Sequence, residues 1–302
     1  MRTGSEYHEP VLSQACIEGL SLKPDGIYVD ATFGGGGHSR AILERLGPKG
    51  RLIAFDRDAD AWANAPRDDR FTLVKSDFRW LTNHLRFLKV LPIDGLLADL
   101  GVSSHQFDRG DRGFSIRFDG PLDMRMDRRA KRTAAELVNS WDEERLAHVL
   151  KTYGEVDGAR RVAKAVVHAR TKQGISTTQQ LIEALDPVTP RKDESGFRAQ
   201  VFQALRIAVN DELGSLEALL RQSEEAIKQG GRLVVLSYHS LEDRMVKNWM
   251  RAGGFDGEEK KDMYGNRLRP FEPVGRAMQP GAEEINVNPR ARSARLRIAE
   301  RR

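Results

Sequence analysis

The chain has 302 residues, 39% of them hydrophobic and 31% charged, enough for one large domain or two modest ones with buried cores. Lys and Arg number 49 against 44 Asp and Glu, and the net charge of +5 suits an anionic partner without requiring one. Cys16 is the only cysteine, which excludes an intrachain disulfide and a cysteine-based metal cluster and leaves a small buried thiol as the default.

In chain order, residues 26–31 form a short β-rich run that breaks into Phe33-Gly34-Gly35-Gly36-Gly37. A helix is predicted over 38–46, stopped by Gly47-Pro48. A second strand, 51–55, ends at Asp56; a third covers 71–74, a helix starts at Phe78, and a fourth strand covers 93–100. This alternation predicts βαβ units and a parallel sheet. From His105 to about Asn210 the sequence offers loops and helices but no strand. There Thr133-Ala134-Ala135-Glu136 and Thr177-Thr178-Gln179-Gln180 fit the capping box, and residues 193–196 read as an exposed loop. A long amphipathic helix over 211–229 then ends at Gly230-Gly231. It is followed by a buried strand over 232–237, a helix over 242–250 and a final edge strand over 294–299. The organisation expected is one α/β domain built from residues 1–104 and 211–302, split by a helical insertion at 105–210 that is a candidate for substrate recognition.

A strand that ends in clustered glycines and opens a helix is a nucleotide-binding geometry, because the backbone approaches the ligand and the helix offers free N–H groups. Asp56 lies 20 residues after Gly36 (56 − 36), where a carboxylate can accept both hydroxyls of a ribose. The blander alternative is a flexible turn with Asp56 as a helix cap. Gly34-x-Gly36-x-x-Ser39 and Gly35-x-Gly37-x-x-Arg40 both lack the third glycine of the dinucleotide fingerprint, and no G-K-S/T follows. The turn therefore favours S-adenosylmethionine, which has a ribose and no pyrophosphate, with a nicotinamide-dependent oxidoreductase as the alternative. Asp99-Leu100-Gly101-Val102-Ser103-Ser104 stands at the end of the fourth strand, where ligands of open α/β sheets sit. A carboxylate there can accept N–H protons of an amine. The lone pair of an aromatic amine is delocalised, so methylating it demands positioning more than acid–base chemistry.

Eight segments together resemble the 16S rRNA (cytosine N4)-methyltransferases of the RsmH (MraW) type. They are His8-Glu9-Pro10-Val11-Leu12, Asp30-Ala31-Thr32-Phe33-Gly34-Gly35-Gly36-Gly37-His38-Ser39, Asp99-Leu100-Gly101-Val102-Ser103-Ser104 and Asp119-Gly120-Pro121-Leu122-Asp123-Met124-Arg125-Met126-Asp127. Leu150-Lys151-Thr152-Tyr153-Gly154-Glu155, Phe202-Gln203-Ala204-Leu205-Arg206-Ile207, Ser240-Leu241-Glu242-Asp243-Arg244 and Asn288-Pro289-Arg290-Ala291-Arg292-Ser293 complete the set. The resemblance implies a class I S-adenosylmethionine-dependent methyltransferase (Rossmann-like) sheet domain with an inserted all-helical domain. It also implies methyl transfer from S-adenosyl-L-methionine to N4 of a cytidine in the decoding region of small-subunit rRNA. It carries cofactor contacts to Gly35, Gly36, Gly37, His38, Asp56, Phe78, Asp99 and Gln106, with Phe78 packing on the adenine. Gly196-Phe197-Arg198-Ala199-Gln200-Val201 departs from the family's His-Pro-Ala-Thr-Arg-Thr, which puts substrate contacts there in question, and Tyr238 replaces a frequent Phe.

Tyr238 is placed to stack on a flipped base and His239 to bond its edge, making Asp99 and His239 the candidate catalytic residues. The polar loop from Arg112 to Asp127 either closes over the site or fastens the insertion, with Arg112 and Arg125 as candidate substrate contacts. Arg160, Arg161, Lys164 and His168 flank an apolar stripe of Val162, Ala165, Val166 and Ala169; Arg290, Arg292, Arg295, Arg297, Arg301 and Arg302 crowd the C-terminus. Such charges suit phosphate contacts that position RNA. No metal site is expected, for want of a ligand cluster with usable spacing. The expected partner is 16S rRNA in the small ribosomal subunit; a homodimer is left open. A non-catalytic RNA-binding assembly factor is the remaining alternative. The first ten residues lack the apolar core of a signal peptide and the apolar runs are far too short for a bilayer, so a cytoplasmic location is expected.

Overall fold

A computed structural model describes residues 10–259 and 261–302; His8 and Glu9 of the first motif lie outside them. The chain divides into two compact units, Met1–Gly101 with Leu213–Arg302, and Val102–Glu212.

The first unit holds α1 (Ser13–Leu20), β1 (Ile27–Asp30), α2 (Gly37–Leu43), β2 (Arg51–Phe55), β3 (Phe71–Val74), α3 (Leu81–Phe87) and β4 (Ile93–Asp99) before the chain leaves it. The second unit contributes α4 (Ser104–Asp108), α5 (Ala134–Ser140), α6 (Glu143–Gly154), α7 (Ala159–Lys172), α8 (Thr178–Leu185) and α9 (Glu194–Asn210). Then come α10 (Glu212–Ala226), β5 (Ile227–Ser237), α11 (Ser240–Ala252), β6 (Phe271–Pro273), α12 (Ala282–Val287) and β7 (Arg295–Arg301).

The seven strands form one sheet in the order β3-β2-β1-β4-β5-β7-β6. The first five are parallel, and β7 runs antiparallel to both β5 and β6. Side chains alternate across a strand, and here both faces are apolar. Val29, Ile53, Leu96, Leu233 and Val235 join one core with Leu81 and Leu85 of α3, Leu216, Leu219 and Leu220 of α10, and Val246 and Trp249 of α11. Their neighbours Tyr28, Leu52, Leu97, Val234 and Leu236 join the opposite core with Cys16, Ile17 and Leu20 of α1 and Ile42 and Leu43 of α2. Burial on both faces explains why these strands read as continuous apolar runs. Register aligns Asp30 with Leu97 and Asp99 with Leu236, so the ends of β1, β4 and β5 share one edge.

Three expectations are corrected. The last strand is not at the edge: β7 is covered by β6, a segment of three residues ending in Pro273, too short to leave a periodic signal and closed to further pairing by its proline. The long helix stops at Ala226, because β5 begins at Ile227 and pairs with β4 through a register shift in which Gly230 takes φ +73°. Residues 193–196 start α9 instead of forming a loop, with the Asp193 carboxylate accepting the Gly196 N–H at 3.0 Å.

The second unit has its own core, including Phe114, Leu122, Met124, Val149, Val162, Leu181, Phe202 and Leu205. Both predicted capping boxes form, at Thr133 with Glu136 and at Thr177 with Gln180. In α7, Val162 and Val166 face the core while Arg160, Arg161, Lys164 and His168 are exposed. Among the described residues no helix is long and apolar enough to cross a membrane.

Candidate active site

The chain leaves β1 at Asp30 and must turn at once into α2. Gly34 and Gly36 take φ +51° and +74°, a region costly for other residues, and a Cβ on Gly36 would come within 2.9 Å of the Phe33 ring. Gly35 lies within this turn and Gly37 is the first residue of α2. The turn is tied to the tip of β2: the Gly34 N–H donates to Asp56 Oδ2 at 2.7 Å, and the Asp58 N–H donates to Asp56 Oδ1 at 2.8 Å. Each carboxylate oxygen has two acceptor positions, so the half-buried Asp56 retains capacity for two hydroxyls. Burial pushes its pKa up to about 6, against the lowering effect of the two N–H donors.

Phe78 opens a short 3-10 helix after β3, capped by Asp77, whose carboxylate accepts the Arg79 N–H at 2.8 Å. Arg57 Nη1 at 2.8 Å and Ser215 Oγ at 3.1 Å also donate to Asp77, and Phe78 is partly buried against the sheet core. The ring is therefore held from behind without being fully enclosed.

At the tips of β1, β4 and β5 six polar side chains meet. Tyr238, directly after β5, donates its hydroxyl to Asp99 Oδ1 at 2.7 Å. The other oxygen, Oδ2, faces His38 Nε2 at 3.5 Å. Beneath, the fully buried Asp30 accepts from Ser39 Oγ at 2.7 Å and from the Thr32 N–H at 3.1 Å. The Asp99 N–H donates to Thr32 Oγ1 at 2.7 Å, which locks the strand tip. Burial opposes a charge on His38, but the Asp99 and Asp30 carboxylates outweigh it and raise its pKa above the ordinary histidine value. Burial first, then the Asp99 charge, drives the Tyr238 hydroxyl well above the usual phenol range, so it stays a donor. Both His38 ring nitrogens are buried without a hydrogen-bond partner among the described residues, a polar deficit that a ligand can fill.

His239 caps α11 with a nearly buried ring whose Nε2 lies 3.2 Å from Glu242 Oε1, while the Tyr238 N–H donates to Glu242 Oε2 at 3.0 Å. Asp30 and Glu242 stand in the sequence analysis only as members of family segments, with no role, and Asp77 is not singled out there. Asp30 closes the first strand as Asp56 follows the second, and that repetition was the available signal.

The remaining predicted residues lie in the second unit. Gln106 is buried and shares a capping box with Ser103, its Oε1 accepting the Ser103 N–H at 3.0 Å. Arg112 and Arg125, expected at the substrate, are corrected to supports of the 112–130 loop. Arg112 is 1% exposed and donates to the carbonyls of Arg125 and Met126 at 3.0 and 3.2 Å. Arg125 grips Asp123 through two bonds of 2.7 and 2.8 Å and donates to the carbonyls of Arg128 and Ala130, so its fork is committed within the loop. Asn210 fixes the same loop by accepting the Met126 N–H and donating to the Met124 carbonyl, both at 2.7 Å. Residues 196–201 belong to α9, with Phe197 and Val201 buried and Arg198 paired to Asp186 at 2.9 Å.

A sheet in this order, its first five strands parallel and β7 antiparallel, with a glycine turn after its first strand and acids at the tips of its first, second and fourth, defines a class I S-adenosylmethionine-dependent methyltransferase. The chain matches the model of the MraW methylase family over residues 5–302 and belongs to that family. Proteins called ribosomal RNA small subunit methyltransferase H are similar over nearly their whole length. That of Cytophaga hutchinsonii is 54% identical, covering 98% of this chain and 99% of its own. That of Flavobacterium johnsoniae is 52% identical and covers 100% of both. A crystal structure of a putative rRNA-methylase from Clostridium thermocellum overlays 98% of this chain and 99% of its own at a TM-score of 0.46 and 14% identity, so family membership rests on the sequence relatives.

S-adenosylmethionine is the cofactor, and the site suits it. The glycine turn carries no side chains, Asp56 keeps acceptors for a ribose, Phe78 presents an apolar ring, and the unsatisfied His38 beside Asp99 marks the polar end.

Proposed function

We propose that the protein transfers a methyl group from S-adenosylmethionine to N4 of a cytidine in the decoding region of 16S rRNA. The observation that carries this reading is the Tyr238–Asp99 hydrogen bond at the strand tips. It fixes a carboxylate where an amine can be gripped, in a chain whose relatives bear the name of small-subunit rRNA methyltransferases. Bound S-adenosylmethionine supplies an electrophilic methyl group on a sulfonium centre. With Oδ1 held by Tyr238, Asp99 accepts an N–H of the cytidine amine through Oδ2, which fixes the plane of the base and turns the nitrogen lone pair toward the donor. Once the nitrogen has gained a carbon it sheds one proton, and Asp99 receives it through Oδ2, the oxygen that faces His38. Gly35, Gly36, Gly37, Asp56 and Phe78 hold the adenosyl part; Gln106 remains a proposed contact by resemblance. Tyr238 acts on the reaction by orienting Asp99, and His239 by its own edge toward the base. The enzyme works on RNA in the cytoplasm, within the small ribosomal subunit.

The test is tritium transfer from labelled S-adenosylmethionine to small subunits lacking the modification, followed by mapping of the labelled nucleotide. Label at N4 of one decoding-region cytidine is the expected result. Label on another base, on a ring carbon or on a ribose hydroxyl overturns the assignment.

A further inference from the structure

The far edge of the sheet carries a second feature that methyl transfer does not use. Between α11 and the β6–β7 edge lies a cavity of about 410 Å³ walled by Lys247, Arg251, Arg267, Arg269, Arg276 and Arg297, with Glu272 the one acid among the described lining residues. Arg297 is neutralised by Asp243 through bonds of 2.7 and 3.0 Å, Arg251 and Arg267 share Glu259 at 3.4 and 3.1 Å, and Arg269 pairs with Glu272. Lys247 and Arg276 are exposed and make no ion pair among the described residues. Arg269 is only 6% exposed, yet its Nε is buried without a hydrogen-bond partner. An unsatisfied donor of this kind is costly, and an anionic oxygen entering the cavity removes the cost.

Beside the cavity a tight hairpin, bridged at Lys261 and Arg267, is fixed by Asp262. That carboxylate accepts the N–H groups of Tyr264 and Asn266 at 2.8 and 2.9 Å and the Asn266 amide at 2.9 Å, with Gly265 at φ +84°. The turn displays Met263 and Tyr264 at 88% and 83% exposure, the tyrosine standing on a turn tied by Asp262. Cations along a cleft and an aromatic face at its rim are the means by which proteins hold single-stranded nucleic acid. The segment after β6 also leads to the chemistry: Val274 bonds to Ile298, Met278 exchanges bonds with Leu296, and Leu296 pairs with Leu236, two residues before Tyr238.

We infer that this cleft binds single-stranded RNA flanking the methylated nucleotide, with phosphates on Lys247, Arg276 and Arg269 and a base on Tyr264. The inference rests on the reading of RNA as substrate. It also relocates the charge expected at the C-terminus, where Arg297 and Arg302 are paired to Asp243 and Glu272 and Arg301 donates to the Glu224 carbonyl.

The test uses the full chain with the double variant Lys247→Glu/Arg276→Glu, Tyr264→Ala, and Lys49→Glu as a charge-reversal control. Affinity for naked small-subunit rRNA is measured across a salt series, beside calorimetric affinity for S-adenosylhomocysteine. Losing two phosphate contacts is expected to weaken RNA binding about tenfold or more and to lower the log–log salt slope by roughly 1.4. Tyr264→Ala should weaken binding with the slope intact, and the control should change neither. Affinity for S-adenosylhomocysteine stays constant throughout; if the double variant loses it, Lys247→Gln/Arg276→Gln carries the same comparison. Unchanged RNA affinity and slope in the cleft variants overturn the site while leaving the methylation reading intact. A defect seen with assembled subunits but not with naked rRNA assigns the cleft to a ribosomal protein and also overturns it. A wild-type protein that neither binds nor methylates rRNA removes both readings.

Discussion

Asp99 has two oxygens with different neighbours, and that asymmetry makes its role testable. Asp99→Asn places an amide against the Tyr238 hydroxyl and removes the charge assigned to the proposed amine substrate; kcat should fall by about 100-fold or more, in the range seen when a positioned polar group is lost. Tyr238→Phe keeps the ring and removes only the bond to Oδ1. Turnover should drop about tenfold, and affinity for S-adenosylhomocysteine should hold, because the hydroxyl acts through Asp99. Equal losses of cofactor affinity in both variants would mean that the pair builds the cofactor pocket instead. Asp56 gives a pH signature. Its pKa of about 6 lies above the ordinary 3.8, so the unliganded fold binds the extra proton and loses stability as pH rises from 3.8 through about 6. A ribose favours the ionised form, so ligand affinity runs the other way. Calorimetry should show S-adenosylhomocysteine binding weakening as pH falls through 6 and releasing a proton near that value. Asp56→Asn should abolish both effects.

Among the elements, those with a strong local pattern were legible. The glycine turn and Asp56 could be placed together because a βαβ unit of ordinary length returns the second strand beside the first, and Gly34 does bond to Asp56. β1, β2, β4 and the core of β5 announced themselves as apolar runs because helices cover both faces of the sheet. β6 was invisible: three residues ending in proline carry no alternation. Tyr238 and Asp99 are 139 positions apart, and only the crossing of β4 beside β5 brings them into contact. Arg112 was misread for a related reason, since an arginine in a polar loop looks like a ligand contact until the loop is seen to fold over it. The turn itself supports a prediction. Gly36→Ala puts a Cβ against the Phe33 ring at a left-handed φ, and should cost about 1–2 kcal/mol of stability while reducing cofactor affinity. Thermal unfolding with and without S-adenosylhomocysteine separates the two effects; a fully stable variant with normal affinity would show that the turn relaxes freely.

For the whole molecule, the decisive feature is that each unit possesses its own hydrophobic core. The second unit, Val102–Glu212, encloses Phe114 through Leu205, whereas the sheet unit packs its helices on both faces of seven strands. Separate cores permit separate melting, and a ligand stabilises the unit that binds it by an amount set by its concentration over Kd, about 2.7 kcal/mol at 100 Kd. Scanning calorimetry should resolve two transitions, one of which rises with S-adenosylhomocysteine. Arg112→Met removes donors to two backbone carbonyls and should lower the other transition by about 3 kcal/mol. Cofactor affinity should be unaffected, and the fall in stability should not respond to ligand. A single transition shifted equally by ligand and by Arg112→Met would mean that the chain unfolds as one cooperative body. The support loop would then be thermodynamically part of the cofactor site, and its arginines would have to be reconsidered as parts of the methyl-transfer machinery.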